Sequence, residues 1–352
     1  MSNGPHAYAR FDGGALIGPR ARHDDRVVRP IVRAQPAPVI FAPGRHPLPR
    51  VGVVSNPKSH RNRARAHRVL ELPDDVRFET PASWAALNET LERFAAEGVD
   101  LLVVDGGDGT VRDVISAAPA AFGDRMPRMA ILPSGKTNAL ALDLGVPLDW
   151  TVGHVVEAAA QGQFVRRAPI EVYRDGAGQP DVRGFLFGAG AFVRATKVAQ
   201  RTHRFGAFNG LAVGLSLTLG IAQTFFGKAT NPWRVGERMR LETDAGHRAD
   251  RNFYILFAST LERLPLHLKP FGRKRAGLKL LAVDAPPKRM AVTVPALLAG
   301  SEGAWLDRAG YRRTDLRAFD LSLDGGFILD GELYRGGDLT VRSGAPIDFA
   351  VP

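Results

Sequence analysis

Asp108 sits among three glycines in the run Gly106-Gly107-Asp108-Gly109-Thr110, directly after the apolar stretch Leu101-Leu102-Val103-Val104. Val111-Arg112-Asp113-Val114-Ile115 then continues as a helix start. A strand, a glycine turn and a helix N-terminus in that order make an anion site. Backbone N–H groups converge, the helix dipole favours negative charge, and the missing side chains let a phosphate approach. A carboxylate inside such a turn repels a bare phosphate, so Asp108 implies a bridging cation, for which Mg²⁺ fits. Glycine and aspartate also form ordinary turns, but three glycines with Thr110 exceed what a plain connection needs.

Two further turns of similar chemistry flank this one, and the elements between them say how all three are positioned. Val51-Gly52-Val53-Val54 reads as a short buried strand, followed by Ser55-Asn56-Pro57-Lys58-Ser59 and a basic helix over residues 61–70. Val76-Arg77-Phe78-Glu79 alternates as a strand. Ser83 then caps a helix with Trp84, Leu87, Leu91 and Phe94 on one face, closed by Gly98. Met129-Ala130-Ile131-Leu132 is the next strand, leading to Pro133-Ser134-Gly135-Lys136-Thr137-Asn138 and another helix. Alternating strands and helices predict a parallel α/β sheet with ligands at the C-terminal strand ends. All three turns fall on that edge. Gly135-Lys136-Thr137 imitates the end of a nucleotide P-loop, but the glycine required five residues earlier is Ala130, and Pro133 removes a donor N–H from the loop.

Composition narrows the classes. The 352 residues are 45% hydrophobic and 24% charged, enough for a large core in two domains. The absence of cysteine excludes disulfides, zinc–thiolate sites and thiol nucleophiles. A net charge of +11 points to an anionic partner. Only 8% of residues are aromatic, and no basic run is interleaved with them, which argues against nucleic acid. Residues 1–50 hold eight arginines against three aspartates, with eight prolines and five glycines, and read as a flexible basic tail without the apolar core of a secretory signal.

From residue 164 onward the chain reads as many short strands, among them 164–165, 170–173, 185–187, 253–257, 278–283, 319–323, 327–329 and 339–341. That texture predicts a mainly antiparallel second domain. Between its strands, residues 205–227 contain no charge across 23 positions, but five glycines and several polar residues make them a packed helical pair or an interfacial segment rather than a spanning helix. Residues 269–289 carry seven cationic side chains against Asp284 alone, a solvated face or a phosphate-holding one.

Four stretches resemble the diacylglycerol kinase catalytic-domain family, which includes bacterial lipid kinases, sphingosine kinases and ceramide kinases, with NAD kinases as distant relatives. They are Ser55 to Ser59 for N-P-x-S-G, Gly106 to Thr110 for G-G-D-G-T, Ile131 to Pro147 for I-L-P-x-G-T-x-N-D…L-G-I-P, and Asp330-Gly331-Glu332 for D-G-E. The resemblance implies a Rossmann-like α/β nucleotide domain over residues 51–163 and an antiparallel β-sandwich, the lipid-substrate domain, over 164–352. It implies ATP and Mg²⁺ between them and phosphoryl transfer to the hydroxyl of a diacylglycerol or sphingolipid. Gly106, Gly107, Gly109 and Thr110 would cradle the phosphates, with Asn56, Thr80, Val111, Arg112 and Lys136 completing the nucleotide site. Asp108 would engage the Mg²⁺–phosphate cluster. Glu332 matches the acidic residue that accepts the hydroxyl proton, and it is favoured over Asp108 as the base.

His60, Arg112, Asp113, Lys136 and Ala139 depart from the family pattern. Arg275-Ala276-Gly277-Leu278 replaces an Asp-Asp-Gly-Leu segment, so no accessory metal is expected there. Two other readings stand beside the lipid kinase: a non-catalytic nucleotide- or lipid-binding protein, and a soluble kinase of the NAD kinase type. The partners expected are a membrane lipid and an anionic membrane surface, with the protein cytoplasmic and peripheral to the inner face of the membrane. Nucleic acid is not expected, and a homodimer is compatible with the sequence.

Overall fold

The computed structural model describes residues 49–62, 76–174, 176–194 and 232–352. The basic tail, most of the helix expected over 61–70 and the uncharged stretch 205–227 lie outside the described residues.

Four parallel strands, β1 (Val51–Ser55), β2 (Val76–Glu79), β3 (Leu101–Gly106) and β4 (Arg128–Pro133), lie in the order β2-β1-β3-β4. Helices cover the sheet, which is why its inner strands read as unbroken apolar runs. Helix α1 (Trp84–Ala96) starts where the Ser83 hydroxyl accepts the Ala86 N–H at 3.2 Å. It buries Leu87, Leu91 and Phe94. Trp84, expected on that face, is 52% exposed. As the first helical residue it points back past the helix start, beyond the sheet. Helix α2 (Asp108–Phe122) follows β3 directly, and α3 (Ala139–Leu144) and α4 (Val152–Ala160) follow β4.

The remaining strands correct the expected boundary at residue 164. Strand β5 (Phe164–Arg167) belongs to this first sheet. A strand near the end of the chain, Ile347–Ala350, inserts between β4 and β5, parallel to the former and antiparallel to the latter. A boundary placed by strand texture alone cannot register such a return.

The second sheet is antiparallel throughout. It comprises β6 (Ile170–Arg174), β7 (Val182–Gly184), β8 (Leu186–Gly190), β9 (Glu237–Thr243), β10 (Arg248–Ser259), β11 (Leu278–Asp284), β12 (Tyr311–Leu316), β13 (Ala318–Leu329) and β14 (Glu332–Ser343). The returning strand above is β15. A short helix, α5 (Pro232–Val235), precedes β9, and helices α6 (Met290–Leu298) and α7 (Ala304–Arg308) connect β11 to β12. Strands β8 and β9 share the slot between β10 and β13. One core, including Phe187, Phe253, Phe319 and Phe327, is built wholly from residues of these strands, so the sheet folds over its own inner face. The expected fold class, an α/β domain followed by an antiparallel β-rich domain, is the one observed.

Candidate active site

The C-terminal ends of β1, β2, β3 and β4 share one edge, and the three turns meet there. Asp105, the last side chain before the glycine turn, joins them. Its buried carboxylate accepts from Ser55 Oγ at 2.8 Å, Asn62 Nδ2 at 2.9 Å and Ser134 Oγ at 2.5 Å. Asp105 lies just outside the glycine motif. Its signal was a charged residue ending an otherwise apolar strand, where burial requires donors from the neighbouring strand ends.

The turns also contact each other directly. The Asn56 amide donates to Thr110 Oγ1 at 3.0 Å, and the Ser134 N–H donates to the Gly106 carbonyl at 3.0 Å. Gly107 and Gly135 pass so closely that a Cβ built on Gly135 would lie 2.5 Å from the Gly107 Cα. Asn138 takes a left-handed conformation, φ 51°, as Asn does more readily than other non-glycine residues. From there its side chain accepts the Gly135 N–H at 2.8 Å and returns a bond to the Gly135 carbonyl at 3.1 Å.

Asp108 opens α2, whose N-terminus has no side-chain cap. Its Oδ1 accepts the Ala139 N–H at 2.7 Å, so the carboxylate bridges the second and third turns. Burial pushes the Asp108 carboxyl above the ordinary carboxylate range, against the pull of the backbone donors at Ala139, Leu140 and Asn138. Ala139, one of the departures from the family pattern, meets Asp108 through this backbone N–H.

The second sheet reaches the same edge through the β13–β14 hairpin. Asp330 and Gly331 occupy its two-residue turn with φ of 47° and 84°, the pair of left-handed residues that a type I′ turn requires. The Asp330 carboxylate turns inward and accepts the N–H groups of Phe185 at 3.0 Å and Leu186 at 2.9 Å. Burial first, then the nearby Asp108 charge, push this carboxyl up to about 7. Glu332 follows in the exposed position, with Oε2 3.9 Å from Arg112 Nη1. The buried Arg112 guanidinium also donates to Asp113 at 2.7 Å and lies 6.0 Å from the centre of the Tyr334 ring. One turn of α2 therefore carries Asp108 toward the first sheet and Arg112 toward the second.

The structure thus brings Asn56, Gly106, Gly107, Asp108, Gly109, Thr110, Arg112 and Glu332 together. Val111 is buried in α2 behind the turn. Thr80 lies just beyond the C-terminal end of β2, beside the first turn, and Lys136 is exposed on the third. Asp330, marked in the sequence only as the first residue of D-G-E, takes its place in the site from the Phe185 and Leu186 donors.

Residues 50–171 match the family model for the diacylglycerol kinase catalytic domain. That match spans the first sheet through β5 and ends at the start of the second. The chain is 28% identical over 121 residues to a Yersinia enterocolitica protein named "Probable lipid kinase YegS-like", covering 34% of this chain and 40% of that one. It is 31% identical over 112 residues to the diacylglycerol kinase of Bacillus subtilis strain 168, covering 28% of this chain and 34% of that one. The chain therefore aligns with less than half the length of these relatives. The structure resembles that of a diacylglycerol kinase from Bacillus anthracis strain Sterne, with a TM-score of 0.58 and 13% identity, over 86% of this chain and 97% of that one. The shared fold thus extends well beyond the catalytic-domain match, into the antiparallel sheet.

An apolar groove of about 310 Å³ opens in the second sheet, lined by Leu186, Phe192, Phe257, Leu264, Leu281 and Val294 among others. Leu186 belongs to both places: its side chain lines the groove and its N–H holds Asp330. A larger cavity of about 470 Å³ sits at the opposite edge of the first sheet and holds none of the candidate residues. Where the family has an Asp-Asp-Gly-Leu segment, Arg275 pairs with Asp315 at 2.7 Å and Glu302 at 3.5 Å. The basic run around it is not uniformly solvated, because Lys279 is buried and donates to the Arg275 and Gly277 carbonyls. Among the described residues no helix is long and apolar enough to cross a membrane.

Proposed function

We propose that the protein is an ATP-dependent lipid kinase working at the inner face of a membrane. The observation that carries this reading is the meeting of the glycine turn with the Asp330-Gly331-Glu332 hairpin, one residue from an apolar groove. A lipid whose chain lies along Leu186 presents its hydroxyl near that hairpin.

The nucleotide phosphates would lie against the uncapped N-terminus of α2, between Asn56, Thr110 and Lys136. Among the described residues no three acidic or histidine side chains form a metal cluster. A single carboxylate at a phosphate turn suits a Mg²⁺ that arrives with the nucleotide, because that ion keeps waters and phosphate oxygens as most of its ligands. Asp108 would hold it, and it would supply charge neutralisation at the phosphates. The γ-phosphoryl group leaves the ADP oxygen and bonds to the lipid hydroxyl oxygen, and the hydroxyl proton passes to Glu332. Glu332 suits this role because it is exposed and only loosely paired, while an oxygen of Asp108 is occupied by the Ala139 N–H. Positioning and charge stabilisation carry most of such a reaction.

The test is transfer of label from ATP–Mg²⁺ to mixed micelles holding diacylglycerol, ceramide, sphingosine or monoacylglycerol, with NAD as a soluble control. One dominant labelled lipid is expected. Glu332→Ala should lower its rate by about 10²–10⁴-fold while nucleotide affinity holds. Labelling of NAD alone, or lipid transfer undiminished in the variant, overturns the proposal.

A further inference from the structure

The two most exposed large apolar side chains among the described residues belong to two elements that border one groove. Leu266 is 83% exposed and Val292 is 63% exposed. Leu266 lies on the loop Pro265-Leu266-His267-Leu268, and Val292 on helix α6; the loop and the helix both line the apolar groove. Leu266 and His267 both take left-handed backbone conformations, φ 58° and 57°, which non-glycine residues seldom adopt. That turn holds the Leu266 side chain out into solvent. Helix α6, Met-Ala-Val-Thr-Val-Pro-Ala-Leu-Leu, contains no charge, and its outward residues Ala291, Val292 and Pro295 are as apolar as its inward ones. A helix at a water-facing surface normally turns a polar face outward.

Hydrogen bonds tie the end of the loop to the helix. Lys269 N–H donates to the Leu298 carbonyl at 2.9 Å, joining loop to helix. Arg313 clamps both, donating to the carbonyls of Pro270, Leu297 and Ser301. Exposed Arg263 and Lys269 flank the loop in the chain, and exposed Lys288 and Arg289 precede the helix. The carboxylates in the same stretches of chain are already paired, Glu262 with Arg167 and Lys274, and Asp284 with Arg312 and Arg251. An apolar prominence flanked by cations matches the two layers of an anionic membrane, hydrocarbon within and phosphate at the surface.

We propose that the 265–268 loop and the outward face of α6 form a docking surface that seats in an anionic phospholipid bilayer. The groove then opens directly onto the membrane, and a lipid enters it without crossing water. The proposal rests on the lipid-kinase reading for its purpose, but docking itself requires no phosphoryl transfer.

Because the chain has no cysteine, single Leu266→Cys and Val292→Cys variants accept one environment-sensitive fluorophore each. Asp124→Cys, exposed after the C-terminal end of α2, serves as control. On adding phosphatidylcholine vesicles that contain phosphatidylglycerol, the labels at 266 and 292 should shift to the blue while that at 124 stays unchanged. In unlabelled full-length protein, Leu266→Glu with Val292→Glu should weaken vesicle partition by about tenfold or more. Lys288→Glu with Arg289→Glu should remove much of its salt dependence. ATP-analogue binding in lipid-free buffer reports that each variant is folded. Silent labels on a chain that still sediments with vesicles place the contact elsewhere and overturn the proposal. So do labels that respond to protein concentration without vesicles, which would make the occupant a second copy. A negative kinase assay with responsive labels overturns the activity and leaves the docking surface standing.

Discussion

Asp330 occupies the first position of a hairpin turn, accepts two backbone N–H groups and faces Asp108. Its carboxyl is pushed from the ordinary 3.8 up to about 7. A group that holds its proton more tightly when folded stabilises the fold below its unfolded value, and that contribution is lost as pH rises through the folded value. Wild-type stability should therefore fall between pH 3.8 and about 7 relative to Asp330→Asn, by up to about 1.4 kcal/mol per pH unit. Asparagine keeps one carbonyl oxygen for the backbone donors and has no proton to lose in that range. Urea unfolding of both proteins across the window checks this, and a constant difference would remove Asp330 as the titrating group. Glu171 works in the opposite direction. Burial opposes its ionisation, but hydrogen bonds from Tyr173, Arg183 and Arg342 outweigh it and hold it below the ordinary range. Single residues were legible in the sequence where a motif demanded them, as at Asp108. Asp105 was not, because its role depends on donors brought from other strands, and Asp330 was legible as part of D-G-E but not as an acceptor for Phe185 and Leu186.

Gly107 and Gly135 belong to turns that follow different strands, and their backbones touch. In Gly135→Ala the new Cβ would meet the Gly107 Cα at 2.5 Å and Asn138 Oδ1 at 2.8 Å. Backbone cannot step aside as a flexible side chain can, so the variant should lose about 1–3 kcal/mol of stability. It should also bind nucleotide more weakly, because the Asp108 turn is displaced. Thermal melting and calorimetric titration read the two effects, and unchanged nucleotide affinity would separate the third turn from the site. The elements of the first sheet were legible because strands buried on both faces read as apolar runs. Strands β9 and β12 were not. In β9, Met239 and Leu241 point inward between Arg238, Arg240 and Glu242, and in β12 only Tyr311 and Leu316 are buried, with four polar residues between them. Stretches 319–323 and 327–329 read as two strands because a bulge at Asp324-Gly325 interrupts one continuous β13.

The two sheets behave as one body. A single core cluster runs from Val53 and Leu102 through Phe185 to Leu281 and Tyr311. Buried Asp143 on α3 accepts from Arg167 at 2.5 Å and from the N–H groups of Glu262 and Arg263 at 2.9 and 2.6 Å. Unfolding should therefore show one transition for both sheets. Phe349→Ala, which empties a fully buried position on β15 beside Phe185, should lower that transition as a whole by about 3–5 kcal/mol. Two separated transitions in urea, only one of them shifted, would contradict this. No periodicity could have announced the return of β15, since its four residues look like any other short strand. That return also sets a schedule during synthesis. Met129 of β4 pairs with Phe349, so the first sheet keeps an open edge at β4 while most of the remaining chain is translated. At about 5–20 residues per second the wait is on the order of ten seconds or more. An unpaired strand edge is a template for aggregation, and the first sheet is most exposed to that hazard until Phe349 emerges to pair with Met129.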